Sequence, residues 1–222
     1  ALQEDAARAE AAALENKGIS QVQSASAGYN KSRVHLSASN GFSAGYARTS
    51  RGLSCVAISG TGTGMERDYD YDSRIFQSEL RDAADIGRIA AERAVERVGP
   101  RKPKTGAYPV LFDERISSSL IGHLLQATNG AAISRGSSWL RDALGEQVLP
   151  DGLSIIEDPH RGRTSSSRMF DAEGLATSRR AIVDNGTLTG WTLDLANARK
   201  LGMESTASAV RGTASPPSPS LS

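Results

Sequence analysis

Residues 21–60 are QVQSASAGYNKSRVHLSASNGFSAGYARTSRGLSCVAISG. Their side-chain character alternates with a period of two, which is typical of strands exposed on one face. The segments VQSASAGY, RVHLSAS, AGYARTS and LSCVAIS are short, rich in small residues, and separated by Asn and Gly residues that favour turns. This stretch decides the fold class, because such a pattern predicts four short strands in an antiparallel meander.

Helical patterns lie on both sides of these strands. Residues 2–17 are rich in Ala and Glu and are followed by Gly18, which predicts a helix with a glycine stop. Asp82 is a typical N-cap, and apolar residues recur at helical spacing from there to about Val98. The first hundred residues therefore combine strands with two helices.

A second region follows residues 100–106, PRKPKTG, which have the composition of a solvated linker. Asn185-Gly186 between two alternating apolar segments is the strongest hairpin signal in the chain. The other patterns predict a buried strand at 107–113, helices at 116–130 and about 131–145, a strand at 153–158, and a polar loop at 160–168. We expect an α+β fold in two regions, residues 1–100 and 101–222, with antiparallel small-residue strands, helices, and a mixed sheet in the second region.

Composition narrows the class of protein. The chain has 222 residues, 26 Lys and Arg against 25 Asp and Glu, and a net charge of +1, without the basic block typical of nucleic-acid binding. A single cysteine, Cys55, excludes an intramolecular disulfide framework and a cysteine-rich zinc site. The net charge of +1 leads us to expect that the chain binds no nucleic acid. Because neither a membrane span nor a signal peptide is evident, we also expect a cytoplasmic protein that binds no membrane.

The candidate site is in the predicted helix ISSSLIGHLLQATNG, residues 116–130. A zinc-protease helix places a histidine, an adjacent glutamate and a second histidine about one turn later on the same face. Ser118 and Ser119 occupy the first ligand position and the general-base position, and only His123 carries a suitable ligand. The simpler interpretation is that His123 lies at the polar edge of an amphipathic helix. The residues that would then supply its packing are Ile116, Leu120, Ile121, Leu124 and Leu125.

Two other patterns have structural alternatives. Gly41-Phe42-Ser43-Ala44-Gly45 matches G-x-S-x-G, but strands on both sides predict a hairpin and not the strand–turn–helix of a nucleophile elbow. Asp68, Asp70, Asp72 and Glu79 have the spacing of a calcium loop, although Ser73 replaces its glycine. The alternating Tyr and Asp residues equally fit a strand with one acidic face.

Several long strings in order along the chain resemble the TldD/PmbA family, and specifically its PmbA (TldE) branch. They are SNGF at 39–42, GTGMERDYDYDS at 62–73, AAERAVERVGPRKPKTG at 90–106, SLIGHLL at 119–125, NGAAISRGSSWLRDALGE at 129–146, FDAEGLAT at 170–177 and RGTASPPSPS at 211–220. The resemblance implies that residues 1–100 are the later part of the family's N-terminal region and residues 101–222 the first part of its C-terminal region. We therefore expect an internal fragment of a longer protein.

The resemblance also implies a partner. A TldD-type subunit carries H-E-x-x-x-H and binds zinc, and these three positions fall on Ser118, Ser119 and His123 here. No catalytic residue and no metal are expected in this chain, with zinc in the partner. The implied function is a non-catalytic subunit of a metallopeptidase complex that handles unfolded or extended peptides in the cytoplasm. The alternatives are a protein-binding module of the DNA gyrase modulator type and, from the residues, a hydrolase using Ser43.

Overall fold

The computed structural model describes residues 1–221. The helices are α1 (Leu2–Leu14), α2 (Ala83–Glu96), α3 (Glu114–Ala127), α4 (Gly130–Ser134) and α5 (Leu195–Leu201). The strands are β1 (Ile19–Ser37), β2 (Ser43–Ser59), β3 (Glu66–Arg74), β4 (Ile155–Glu157), β5 (Arg180–Asp184), β6 (Thr187–Leu188), β7 (Ala209–Val210) and β8 (Ser218–Pro219). None of the helices described is long and apolar enough to cross a membrane. The α+β fold class is confirmed.

The chain folds into two compact units. The first comprises residues 1–34, 46–107 and 163–165, and the second comprises residues 35–45, 108–162 and those from 166 onwards. In the first unit β2 lies between β1 and β3, and it pairs antiparallel with β3 from Arg51 opposite Arg74 to Ser59 opposite Glu66.

Two helices cover one face of this sheet. α2 packs against both α1 and β3, and Asp82 caps α2 by accepting a hydrogen bond from the Ala84 amide, as predicted. The helices approach closely because Gly87 faces Ala9, where an added Cβ would lie 2.0 Å from the Ala9 carbonyl oxygen. The core is correspondingly built mainly of small side chains, namely Ala9, Ala13, Leu53, Cys55, Ala57, Ala83, Ile86, Ala90, Ala91 and Ala94.

The prediction of four short strands at 21–60 is wrong, since two long strands span this region. Asn30 and Gly52, which separate predicted strands, lie within β1 and β2 and do not have positive φ, so neither residue turns the chain. The turn that joins β1 to β2 is at residues 38–42. Gly41 has φ 92° there, and the Ala38 amide donates a hydrogen bond to the Phe42 carbonyl. Consecutive neighbouring strands joined by so short a turn form an antiparallel hairpin.

The buried strand predicted at 107–113 is also wrong. These residues form neither helix nor strand, and the side chains of Val110 and Leu111 are 70% and 97% exposed. Pro109 lacks an amide proton, and no strand described in residues 1–221 pairs with this segment. An apolar run specifies burial only when a partner is available to bury it.

In the second unit the predicted hairpin is confirmed. β5 and β6 pair antiparallel around Asn185 (φ 45°) and Gly186 (φ 84°), the left-handed pair that a type I′ turn requires. An added Cβ on Gly186 would lie 2.5 Å from the Leu149 carbonyl oxygen, so glycine is needed for space as well as conformation. The core here contains larger side chains, including Leu140, Ile182, Val183, Leu188 and Leu193.

Two predictions for this unit need correction in detail. The helix expected at about 131–145 is limited to α4, because Gly136 adopts φ 73° shortly after it. The described strands β4 to β8 pair antiparallel, and the parallel component of the expected mixed sheet is the single bridge between Asn129 and Thr192.

Candidate functional site

The helix α3 carries the positions that correspond to a metallopeptidase motif. It begins after Asp113, whose carboxylate accepts a hydrogen bond from the Arg115 amide at 3.0 Å. Only its C-terminal half enters the core, through Leu124 and Ala127. Ile116, Leu120 and Ile121 are 54%, 49% and 41% exposed, so the packing predicted for these three side chains is wrong.

Ser118, Ser119 and His123 are all exposed on α3. Ser119 and His123 are four residues apart and therefore share a face of the helix. The Ser119 hydroxyl donates to the Ile116 carbonyl at 2.6 Å, which occupies its proton within the helix. The site thus presents one imidazole beside two hydroxyl groups.

These side chains do not fit a catalytic zinc centre. Such a centre needs three protein ligands and a general base, whereas a serine hydroxyl is a poor zinc ligand and takes up no proton near neutral pH. Within residues 1–221, no group of three or more His, Cys, Asp or Glu side chains is arranged to hold a metal ion. The other two histidines, His35 and His160, form hydrogen bonds to Ser43 and Thr177.

The aspartates with calcium-loop spacing form a buried face of β3. Asp68, Asp70 and Asp72 are each at most 7% exposed, which confirms the acidic strand and not the calcium loop. Arginines neutralise them: Arg97 Nε lies 2.7 Å from Asp68 and Arg93 Nη1 lies 2.8 Å from Asp70. Further pairs join Arg81 to Asp70, Arg74 to Asp72, and Arg163 to Glu79. Carboxylates held in this way are not available to coordinate calcium together.

The structure does bring Ser43 next to a histidine. His35 Nε2 lies 3.0 Å from Ser43 Oγ, with both side chains exposed at the end of the β1–β2 hairpin. Ser43 begins a strand directly after the turn, so the strand–turn–helix elbow that would activate a serine nucleophile is not formed. Ser43 is the only hydrogen-bond partner of His35 within the described chain, so no carboxylate orients the imidazole.

Sequence reasoning missed the arginine partners of the aspartates and the stacking of the tyrosines between them. Tyr69 and Tyr71 stack on the face of β3 opposite the aspartates, with ring centroids 6.2 Å apart. The alternation in ERDYDYDS was the available signal, because the residues of one strand point alternately to the two faces of a sheet. Arg93 lies in α2, Arg97 directly follows that helix and Arg81 precedes it, so the periodicity of the strand gives no information about these three partners. Arg74 is the last residue of β3 itself.

Comparison with known proteins gives a consistent family. Residues 1–98 match the central domain of the PmbA/TldA metallopeptidases, and residues 105–222 match their C-terminal domain. The chain is 40% identical over 202 residues to metalloprotease PmbA of Escherichia coli, covering 90% of this chain and 45% of that protein. It is 39% identical to a PmbA homolog of Haemophilus influenzae over 76% of this chain and 37% of that protein. The chain spans less than half the length of these relatives.

Solved structures share the fold. A candidate modulator of DNA gyrase from Bacteroides thetaiotaomicron superposes with a TM-score of 0.80 and 31% identity, over 92% of this chain and 47% of that one. TldE from Thermococcus kodakarensis superposes with a TM-score of 0.77 and 21% identity, over all of this chain and half of that one. The matched domains and the identity to PmbA proteins together show that this chain belongs to the TldD/PmbA family, as a PmbA/TldE-type member.

Proposed function

We propose that this chain is a non-catalytic subunit of a TldD/PmbA-type metallopeptidase complex that acts in cytoplasmic proteolysis and peptide maturation. The observation that carries the proposal is the set of side chains that α3 offers at the motif positions. These are the hydroxyl groups of Ser118 and Ser119 and the single imidazole of His123. Hydrolysis of a peptide bond at a zinc centre requires a bound, activated water and a base to accept its proton. This helix supplies neither the ligands nor the base.

The zinc would be in a TldD-type partner subunit, whose H-E-x-x-x-H residues align with positions 118, 119 and 123. The peptide substrate would be extended, and the sheet of the first unit offers a way to hold it. Within residues 1–221, β1 is the outer strand of the sheet and pairs with β2, so its other edge has no partner strand in the described part of the chain. Extended peptides bind to such edges by adding a strand.

A cleavage assay tests the proposal. The purified chain is incubated with an unfolded fluorogenic peptide alone, with a TldD-type protein, and with both plus a zinc chelator. We expect cleavage only in the mixture and its loss on chelation. The matched variants Ser119→Ala and His123→Ala should leave cleavage by the mixture unchanged, because neither side chain takes part in chemistry. Chelator-sensitive cleavage by the isolated chain, abolished in His123→Ala, contradicts the proposal.

A second candidate function is a protein-binding regulatory module. The observation that favours it is the structural likeness, at 31% sequence identity, to the protein from Bacteroides thetaiotaomicron described as a candidate modulator of DNA gyrase. The net charge of +1 argues for contact with a protein and against contact with DNA. Affinity capture from a bacterial lysate separates the two functions: recovery of a TldD-type subunit supports the peptidase complex, and recovery of gyrase without it supports the module.

A further inference from the structure

Asparagine followed by glycine occurs at three places in the chain. The pairs are Asn40-Gly41, Asn129-Gly130 and Asn185-Gly186. In such a pair the backbone nitrogen of the glycine can attack the side-chain carbonyl carbon of the asparagine, because glycine has no Cβ to hinder the approach. The fold decides which pair reacts, since the two groups must leave the positions in which their hydrogen bonds hold them.

Distant parts of the second unit hold the pair Asn129-Gly130. The Asn129 side chain donates to the Pro219 carbonyl at 2.8 Å and accepts from the Ala131 amide at 3.0 Å. The Gly130 amide, which carries the attacking nitrogen, donates to the Thr192 carbonyl at 2.8 Å, and Gly130 is buried. Attack at this pair therefore requires the start of α4 to separate from its neighbours.

The pair Asn185-Gly186 is held in the same way. The Gly186 amide donates to the Leu153 carbonyl at 2.7 Å, and the Asn185 side-chain oxygen accepts from the Gly152 amide at 2.7 Å. Gly186 is buried. These bonds join the β5–β6 turn to a segment far away in the sequence, so the turn cannot rearrange alone.

The pair Asn40-Gly41 has local restraints only. Both residues are exposed at the turn between β1 and β2. The Gly41 amide donates to the Ala38 carbonyl at 3.1 Å, and the Asn40 side-chain oxygen accepts from the Phe42 amide at 3.0 Å. A Cβ added to Gly41 would have no neighbour within 4 Å. Both bonds lie within residues 38–42, so they can break without separating one element from another.

We propose that Asn40 is the site at which the folded chain deamidates spontaneously, with water as the co-reactant. The Gly41 nitrogen, after losing its proton to solvent, forms a bond to Cγ of Asn40. The bond from Cγ to Nδ2 breaks, and the nitrogen leaves as ammonia. Water then opens the cyclic imide at either carbonyl, which leaves aspartate or isoaspartate at position 40. Asparagine and water thus become an acid and ammonia, without oxidation or reduction, and the reaction is independent of the proposed peptidase role.

The isoaspartate product would alter a turn that positions a packed ring. It adds a methylene group to the backbone two residues before Phe42. The Phe42 ring meets Phe170 edge-on, with ring centroids 5.1 Å apart, and it lies so close to Gly174 that a Cβ there would be 2.8 Å from the ring. Since close packing of this kind tolerates little displacement, we expect the modified protein to unfold at a lower temperature.

Peptide mapping of the complete chain tests the assignment. The folded protein and the same protein in urea are held in mildly alkaline buffer, and samples taken at intervals are digested with trypsin. The three pairs fall in different tryptic peptides, residues 34–48, 116–135 and 181–199. Mass spectrometry detects deamidation as a gain of about 1 Da, and fragment ions locate the modified residue.

The three pairs should react at similar rates in urea, because the fold then protects none of them. In the folded chain Asn40 should react within about threefold of its rate in urea, whereas Asn129 and Asn185 should be slowed at least about tenfold. Asn40→Gln is the matched variant, because cyclisation through its longer side chain is slower. It should leave the mass of peptide 34–48 unchanged over the same period.

Thermal denaturation of the incubated samples tests the effect on packing. The midpoint of the wild type should fall as Asn40 reacts, whereas Asn40→Gln should keep the midpoint that it had before incubation. Equal protection of the three pairs in the folded chain, or faster reaction at Asn129 or Asn185 than at Asn40, would overturn the assignment. Complete reaction at Asn40 with an unchanged wild-type midpoint would overturn the link between this turn and the Phe42 ring.

Discussion

Arg93 and Asp70 join the helix α2 to the strand β3: Arg93 Nη1 lies 2.8 Å from Asp70 Oδ1, and only 8% of the Asp70 side chain is exposed. The other carboxylate oxygen lies 2.7 Å from Arg81 Nη2, at an angle that makes an ion pair without a hydrogen bond. Asp70 is thus held between two guanidinium groups. Asp70 lies on the face of β3 that the helices cover, together with Asp68 and Asp72.

Removing one partner of this pair should destabilise the protein. Arg93→Ala leaves a buried carboxylate with reduced compensation, which we expect to lower the free energy of unfolding by about 2–3 kcal/mol. Urea denaturation followed by circular dichroism measures it. The matched control is Arg88→Ala on the same helix, whose ion pairs with Asp85 and Glu92 are solvent-exposed, so its unfolding midpoint should match that of the wild type. Equal midpoints for both variants would contradict a structural role for the Arg93–Asp70 pair.

The contact between α1 and α2 should depend on Gly87. Alanine normally favours a helix interior over glycine, but a methyl group at position 87 would meet the Ala9 backbone. We expect Gly87→Ala to destabilise the protein by about 1–3 kcal/mol, measured by thermal denaturation. Gly122→Ala in α3 is the control, because an added methyl group there has no neighbour within 4 Å. That variant should be unchanged or slightly more stable, and a stabilised Gly87→Ala would show that the helices do not pack as described.

Cys55 should make stability fall at alkaline pH. Burial, with Glu10 and Asp70 nearby, raises the pKa of the thiol from 9.0 to about 11. The unfolded chain therefore releases this proton near pH 9 while the folded chain retains it. The thiol's contribution is full below pH 9 and is lost as pH rises toward 11, by up to about 2–3 kcal/mol.

Unfolding free energies measured between pH 8 and pH 11 test this. Cys55→Ala should show a flatter pH dependence than the wild type over that interval. Identical slopes for the two proteins would mean that the thiol does not titrate differently on unfolding. The native thiol should also resist alkylation at pH 8 and react on addition of denaturant.

Asp171 should be essential for the loop that contains FDAEGLAT. Its carboxylate accepts hydrogen bonds from the amides of Glu173, Leu175 and Ala209 at 2.9–3.0 Å, and the residue is 2% exposed. Asp171→Ala leaves three donors unpaired, for an expected loss of about 3–4 kcal/mol of unfolding free energy. Asp171→Asn keeps one accepting oxygen and should lose less.

Denaturation midpoints of these variants are compared with that of Asp142→Ala, whose side chain is 82% exposed. The order expected is Asp142→Ala close to the wild type, then Asp171→Asn, then Asp171→Ala as the least stable. If Asp171→Ala were as stable as Asp142→Ala, the loop would be held by other contacts. FDAEGLAT is one of the strings that resemble the family, and the expected order would assign its Asp171 a structural role instead of a catalytic one.

Local signals predicted local structure well in this chain. The Asp82 cap and the Asn185-Gly186 turn depend on a few neighbouring residues, and both are formed as expected. Resemblance of long strings identified the family, which the comparisons confirm. The alternating residues of β3 likewise predicted its two faces.

What the sequence did not show depends on distant contacts. Asn30 and Gly52 suggested turns, but pairing with neighbouring strands holds both in extended conformation within long strands. Residues 107–113 suggested burial, yet Leu111 is almost fully exposed because no described strand pairs with it. At the candidate site, spacing located the motif positions on α3, whereas the exposure of Ile116 and Leu120 depends on which surfaces pack against the helix.

The central claim is that α3 cannot hold a catalytic metal, and zinc content measures this most directly. The purified chain is dialysed against zinc-containing buffer, then metal-free buffer, and analysed by mass spectrometry for zinc per polypeptide, beside a TldD-type protein treated identically. The account predicts less than about 0.1 zinc per chain here and about one in the TldD-type protein. A value near one for this chain, lost in His123→Ala, would contradict it.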